Sequence, residues 1–120
     1  MEILFIIGRI LFGGFFLMSG LNHLFLKREM LVGYSAQKGV PSPKLAVFLT
    51  GLMVLLGGLG VIIWQYLDVS LWLLIIFLFG SSVKMHDFWN VQDEMQKMGE
   101  MTNFMKNMAL LGAALILLAI

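Results

Sequence analysis

Apolar residues fill four blocks of the chain, roughly Ile3–Phe25, Leu45–Tyr66, Leu71–Val83 and Phe104–Ile120, and nearly every charge falls in the two long segments between them. A run of about twenty apolar residues, rising ~1.5 Å per residue, crosses a hydrocarbon core of ~30 Å. The first two blocks reach that length. The third and fourth reach it only when Val69–Leu71 and the C-terminal residues are included, so the expected spans are 3–25, 45–66, 69–84 and 104–120. A soluble domain of 120 residues would leave much of this sequence exposed. The pattern predicts an all-α, integral-membrane four-helix bundle with up-down-up-down topology, as one domain over residues 1–120.

Local signals refine the blocks. Gly39-Val40-Pro41-Ser42-Pro43 reads as a turn, with its prolines just before or at the start of the second helix, where a missing N–H costs nothing. Gln65-Tyr66-Leu67-Asp68 is short enough to make helices two and three an antiparallel hairpin. Arg9, Gly13, Phe16, Gly20 and His23 share one face of helix one, and the two glycines let another helix approach there. Gly57, Gly58 and Gly60 thin helix two, Gly80, Ser81 and Ser82 thin helix three, and Ala109 and Ala113 give helix four a small-residue pair. Asp93 and Lys97 stand at i, i+4 in the favourable acid-first order. Met95, Met98, Met101, Met105 and Met108 recur every three or four residues. That stripe reads as an adaptable surface for a hydrophobic ligand or, preferably, as an interfacial helix leading into the fourth span.

Composition and charge add constraints. Apolar residues are 60% and charged residues 12% of the chain, about half the ~25% charged share of a globular domain. No basic run interleaved with aromatics is present, so nucleic acid is not an expected partner; the bilayer is. Met1–Phe16 has no basic leader and too long an apolar stretch for a cleavable signal peptide, so it is assigned to the first span. With four spans, both termini and the Gln65–Ser70 turn share one face, while Leu26–Lys44 and Lys84–Asn103 lie on the other. Lys27, Arg28, Lys38, Lys44, Lys84 and Lys97, with Lys106 at the edge, all fall on that second face. Such asymmetry predicts cytoplasmic long connections and extracytoplasmic termini; the expected location is a bacterial or archaeal cytoplasmic membrane. The chain has no cysteine. Any redox role must therefore rest on a bound cofactor or a partner rather than on the chain's own thiols.

Polar residues within the membrane are costly unless paired or solvated, which makes them the candidate functional positions. Arg9 lies about two turns from the terminal face, where Asp68 is the only non-terminal acid besides Glu2. A salt bridge or water-linked contact between them is expected, with snorkelling of Arg9 or contact with an anionic or quinone-like head group as alternatives. On the opposite face, Asn22 and His23 end helix one. Lys84, His86, Asp87, Trp89 and Asn90 leave helix three, and Asn103, Lys106 and Asn107 open helix four. His86, Asp87, Trp89 and Lys106 are expected to converge on one cavity, with walls from Phe16, Phe77 and Phe88. There the Asp holds the His in one tautomer for proton transfer, Lys106 counters an anion and Trp89 walls a flat ligand. The plainer reading is an ordinary interface of polar caps and snorkelling lysines. Two histidines without a third ligand argue against a haem or metal site.

Gly8-Arg9-Ile10-Leu11-Phe12-Gly13-Gly14 and Ser19-Gly20-Leu21-Asn22-His23-Leu24 resemble the opening of the DoxX family. His86-Asp87-Phe88-Trp89 and Met101-Thr102-Asn103-Phe104-Met105-Lys106-Asn107-Met108-Ala109-Leu110-Leu111-Gly112 resemble its end, and the Gly39-Val40-Pro41 turn also fits. The resemblance implies a small four-helix membrane protein. Founding members are linked to a membrane thiosulfate:quinone oxidoreductase, and others to redox or stress complexes. It marks Arg9, His86, Asp87, Trp89, Lys106 and Asn107 as the family-like polar residues. Many members carry a lysine where this chain has Asn22-His23.

Two functions follow as expectations. One is a redox-associated membrane subunit that binds a quinone-like or other small lipophilic ligand at His86, Asp87, Trp89, Lys106, Asn107 and His23. The other is a non-catalytic assembly or binding protein for partner proteins or lipids. A quinone is the candidate cofactor and a redox subunit the candidate partner. Conduction of small solutes is a third, weaker reading.

Overall fold

A computed structural model describes residues 2–120. Helix α1 (Glu2–Leu21) runs into a π-helical turn (Asn22–Leu26), and a short helix α2 (Arg28–Gln37) follows. Next come α3 (Pro43–Ile63), α4 (Leu67–Met85), a 3-10 turn (Phe88–Asn90) and α5 (Glu94–Ala119). Four helical stretches are long and apolar enough to cross a membrane: Glu2–Leu26, Pro43–Ile63, Leu67–Asn90 and Glu94–Ala119. The chain is an all-α integral membrane protein with its four long helices up-down-up-down.

The helices pack in a folded row. Helix α3 sits between α1 and α4, and α4 in turn carries α5. Lipid tails are as apolar as leucine, so association must come from close packing rather than from escape from water. The α1–α3 seam does this with backbone on backbone. A Cβ added at Gly13 would stand 2.6 Å from the Gly58 carbonyl oxygen, and one at Gly58 would stand 2.6 Å from the Gly13 carbonyl oxygen. Around this seam Phe16, Val54, Val61, Leu71, Leu74 and Leu78 form the buried core, with Ala114 from α5. The small-residue contact of the last helix is thus Ala114, not the expected Ala109–Ala113 pair. Gly80 likewise has nothing within 4 Å of an added Cβ, so it does not thin a helix contact.

Three local expectations change. Asp93 does not pair with Lys97; its side chain accepts the Gln96 N–H at 3.0 Å and caps α5. This cap starts α5 at Glu94, so the methionine stripe belongs to the same helix as the last apolar block. Met95, Met98 and Met105 are exposed along it. Helix α2 was not anticipated, although Leu31, Tyr34, Ser35 and Lys38 follow helical spacing.

Arg9 is not partnered by Asp68. Its Nε and Nη2 donate to the Ile62 carbonyl oxygen at 3.2 and 2.7 Å. The guanidinium also sits 5.2 Å from the Phe5 ring centre and 5.6 Å from that of Trp64. Ile62 lies in the last turn of α3, where carbonyls lack intrahelical partners, so a cation is favoured there. Asp68 instead lies in the first turn of α4, where an acid complements the opposite end of a helix dipole.

Candidate functional site

The long connections meet in a clasp built around Glu100. One carboxylate oxygen accepts from the Tyr34 hydroxyl and lies 3.1 Å from Lys38 Nζ. The other lies 2.9 Å from His86 Nδ1 and 3.3 Å from the Asn103 amide nitrogen. Lys38 also reaches Asp87 Oδ1 at 2.9 Å, and the Asn90 amide donates to the second Asp87 oxygen at 3.3 Å. Glu100 is only 9% exposed, and a carboxylate so removed from water needs this many donors. Burial pushes the Tyr34 hydroxyl above its ordinary value, and the adjoining Glu100 adds to the shift. Burial alone would lower Lys38, but its bonds to Asp87 and Glu100 outweigh that and raise it.

Beneath the clasp lies a cavity of about 430 Å³, within the ~300–1,000 Å³ of small-ligand sites. Phe15, Phe16 and Ser19 line it from α1 and His23 from the π-helical turn, and Leu31, Tyr34 and Ser35 of α2 form its roof. Val47 and Thr50 of α3 and Phe77, Ser81, Lys84 and Met85 of α4 close other walls, with His86 following α4. Helix α5 contributes Lys106 and Asn107. Lys106 Nζ lies 5.4 Å from the Phe15 ring centre, spanning the gap between α5 and α1.

Each histidine is oriented by its Nδ1. In His23, within the π-helical turn, Nδ1 is 2.7 Å from the Ser19 carbonyl oxygen. A carbonyl only accepts, so Nδ1 carries the hydrogen and Nε2 is left for other partners. In His86 the Glu100 carboxylate plays the same part. Asn107 is 4% exposed, and its side chain makes no hydrogen bond among the described residues. Among the described residues, no polar side-chain atom sealed inside the protein lacks a partner. The Asn107 amide therefore opens to the cavity it lines.

Four of the six expected ligand residues, His23, His86, Lys106 and Asn107, line this one cavity. Asp87 and Trp89 do not. Asp87 turns to Lys38, whose ammonium group forms a charge-assisted bond to its carboxylate at 2.9 Å. The acid that holds His86 is Glu100 instead. Trp89 is half exposed and packs edge-on against Phe88 and Phe104, at 5.2 and 5.8 Å between ring centres. Phe88 belongs to that aromatic cluster rather than to the cavity wall, whereas Phe16 and Phe77 do line the cavity. Tyr34, Lys38 and Glu100 were missed as site residues. The signal available was the helical spacing of Tyr34 and Lys38 and a lone acid, Glu100, within the methionine stripe.

A sequence model of the DoxX family matches residues 4–87. The match includes Arg9, His23, Tyr34, Lys38, His86 and Asp87 and ends before Glu100, Lys106 and Asn107. Comparison with curated proteins and with solved structures gives no match.

Proposed function

The chain belongs to the DoxX family, and from that premise we propose that it is a membrane subunit whose cavity receives a small lipophilic molecule with a polar head, a quinone-like compound among them. The observation that carries the reading is Asn107, nearly fully buried, without a hydrogen bond among the described residues, and facing an otherwise largely apolar cavity. Polar groups that are few and fixed in an apolar pocket orient a ligand rather than drive its binding. His23 and His86, each held by its Nδ1, would present Nε2 to the head group. Glu100 would act as a positioning residue for His86.

A redox association of this subunit would draw on the ligand and on a partner subunit for its electrons, since the chain has no cysteine. The residues present suit a quinone's oxygens as hydrogen-bond partners, and a bound quinone would supply the electron-accepting chemistry. The chain's own contribution would be to orient that ring and exclude water. We place the long connections, with the clasp, on the cytoplasmic side and the termini outside, following the lysine and arginine asymmetry.

Organic extraction of the protein purified from its membranes, followed by mass spectrometry, tests the reading. A lipophilic species enriched with the wild-type protein and depleted in Asn107→Leu supports it. Equal recovery from both proteins would leave a role in holding partner proteins or lipids as the better account.

A further inference from the structure

Resting on the proposed ligand cavity, we infer that its occupant is a single-chain amphiphile with an anionic head, a carboxylate or phosphate monoester, bound through Lys106 and Asn107. The cavity wall carries two ammonium groups, Lys84 and Lys106, and no carboxylate. The two acids nearest by, Asp87 and Glu100, lie in the clasp and are already engaged by Lys38, with Tyr34 and His86 also on Glu100. Neither lysine of the wall has an ion-pair partner among the described residues. Lys106 rests only on the face of Phe15. Both lysines are exposed, and an ammonium ion that faces an apolar span rather than water gains from a counter-charge, which an anionic head supplies. Asn107, adjacent in sequence and buried, adds an amide donor to the same end of the cavity.

The shape of the bundle selects the tail. Helices α1 and α5 share few close backbone contacts and are bridged by the side chains of Lys106 and Phe15. An opening between these two helices would admit a chain from the bilayer, while α2 roofs the side of the long connections. About 430 Å³ is near the lower end of the small-ligand range and suits one chain rather than two. Phe15, Phe16, Ile76 and Phe77 give that chain an apolar path.

The test is native mass spectrometry of the protein released from phosphatidylcholine nanodiscs after titration with oleate, oleoyl lysophosphatidate, methyl oleate or decyl-benzoquinone. It is run at about pH 8.5, where a carboxyl is ionised and lysine is charged. Oleate or lysophosphatidate should bind about tenfold more tightly than methyl oleate, the factor given by ~1.4 kcal/mol of charge-assisted bonding. The tighter of the two anions identifies the head. Lys106→Met should abolish the preference and Lys106→Arg should keep it, which separates loss of charge from loss of fold. If methyl oleate or the benzoquinone matches the anions, or the preference survives Lys106→Met, the inference falls and the ligand cavity stands. If none of the four compounds binds, both fall.

Discussion

Lys38 Nζ lies 2.9 Å from Asp87 Oδ1, and this contact ties the first long connection to the second across 49 residues of sequence. Glu100, 3.1 Å from the same ammonium group, extends the tie into α5. Helix α2 is thereby held as the roof of the cavity.

Breaking that tie should cost stability. Lys38→Met leaves two partly buried carboxylates short of a cation, and a loss of about 1–3 kcal/mol is expected after allowance for their residual exposure. Tyr34→Phe should cost about 1 kcal/mol. The pH dependence has a definite sign. Both Tyr34 and Lys38 hold their protons more tightly in the folded protein, so their stabilisation is complete below the ordinary values of 10.0 and 10.5. It is lost as pH rises through the higher folded values. The melting temperature in detergent should therefore begin to fall above about pH 10, with a shallower fall in the Lys38→Met, Tyr34→Phe double variant. An identical alkaline fall in that variant would exclude the clasp as its source.

Arg9 and Asp68 separate two accounts of the terminal face. Arg9→Leu removes both bonds to the Ile62 carbonyl and should cost about 1.5–3 kcal/mol, the range for charged hydrogen bonds. Asp68→Asn should change the melting temperature little. Equal destabilisation by the two substitutions would restore the salt bridge that sequence alone suggests.

The legible parts of this protein were those governed by the bilayer. Twenty-residue apolar runs, the Pro43 start of α3 and the glycines of the α1–α3 seam each follow from a local physical demand. The clasp was not legible for the opposite reason. Lys38, Asp87 and Glu100 are ordinary loop or interface charges until three-dimensional proximity pairs them, and nothing in their spacing announces it. Arg9 shows the same limit. Its depth marks it as needing a partner, but a backbone carbonyl carries no side-chain signature, so the sequence points to the visible acid, Asp68. His23, His86, Lys106 and Asn107 were legible as a group because three helices had to end on one face.

The glycine seam predicts a contrast within one residue type. Gly58→Ala places a methyl 2.6 Å from a backbone carbonyl that cannot rotate away. It should destabilise by about 1–3 kcal/mol or force α1 from α3. Gly80→Ala meets nothing within 4 Å and should be neutral or stabilising by up to ~1 kcal/mol through helix propensity. Thermal unfolding in one detergent compares them directly. Comparable losses at both positions would rule out close approach as the cause.

Orientation is checked by reporter fusion at the C-terminus. A phosphatase that folds only outside the cytoplasm should be active there, and a fluorescent protein that matures only inside should be dark. The reverse pattern would place the clasp and its lysines outside.

The most direct measurement of the account is a density map of the protein purified from its membranes with no ligand added. Elongated non-protein density should fill the cavity between α1, α4 and α5, with its polar end within hydrogen-bonding distance of Asn107 and its tail beside Phe16 and Phe77. A cavity holding only ordered water, or one collapsed with Asn107 bonded to a neighbouring helix, would contradict it.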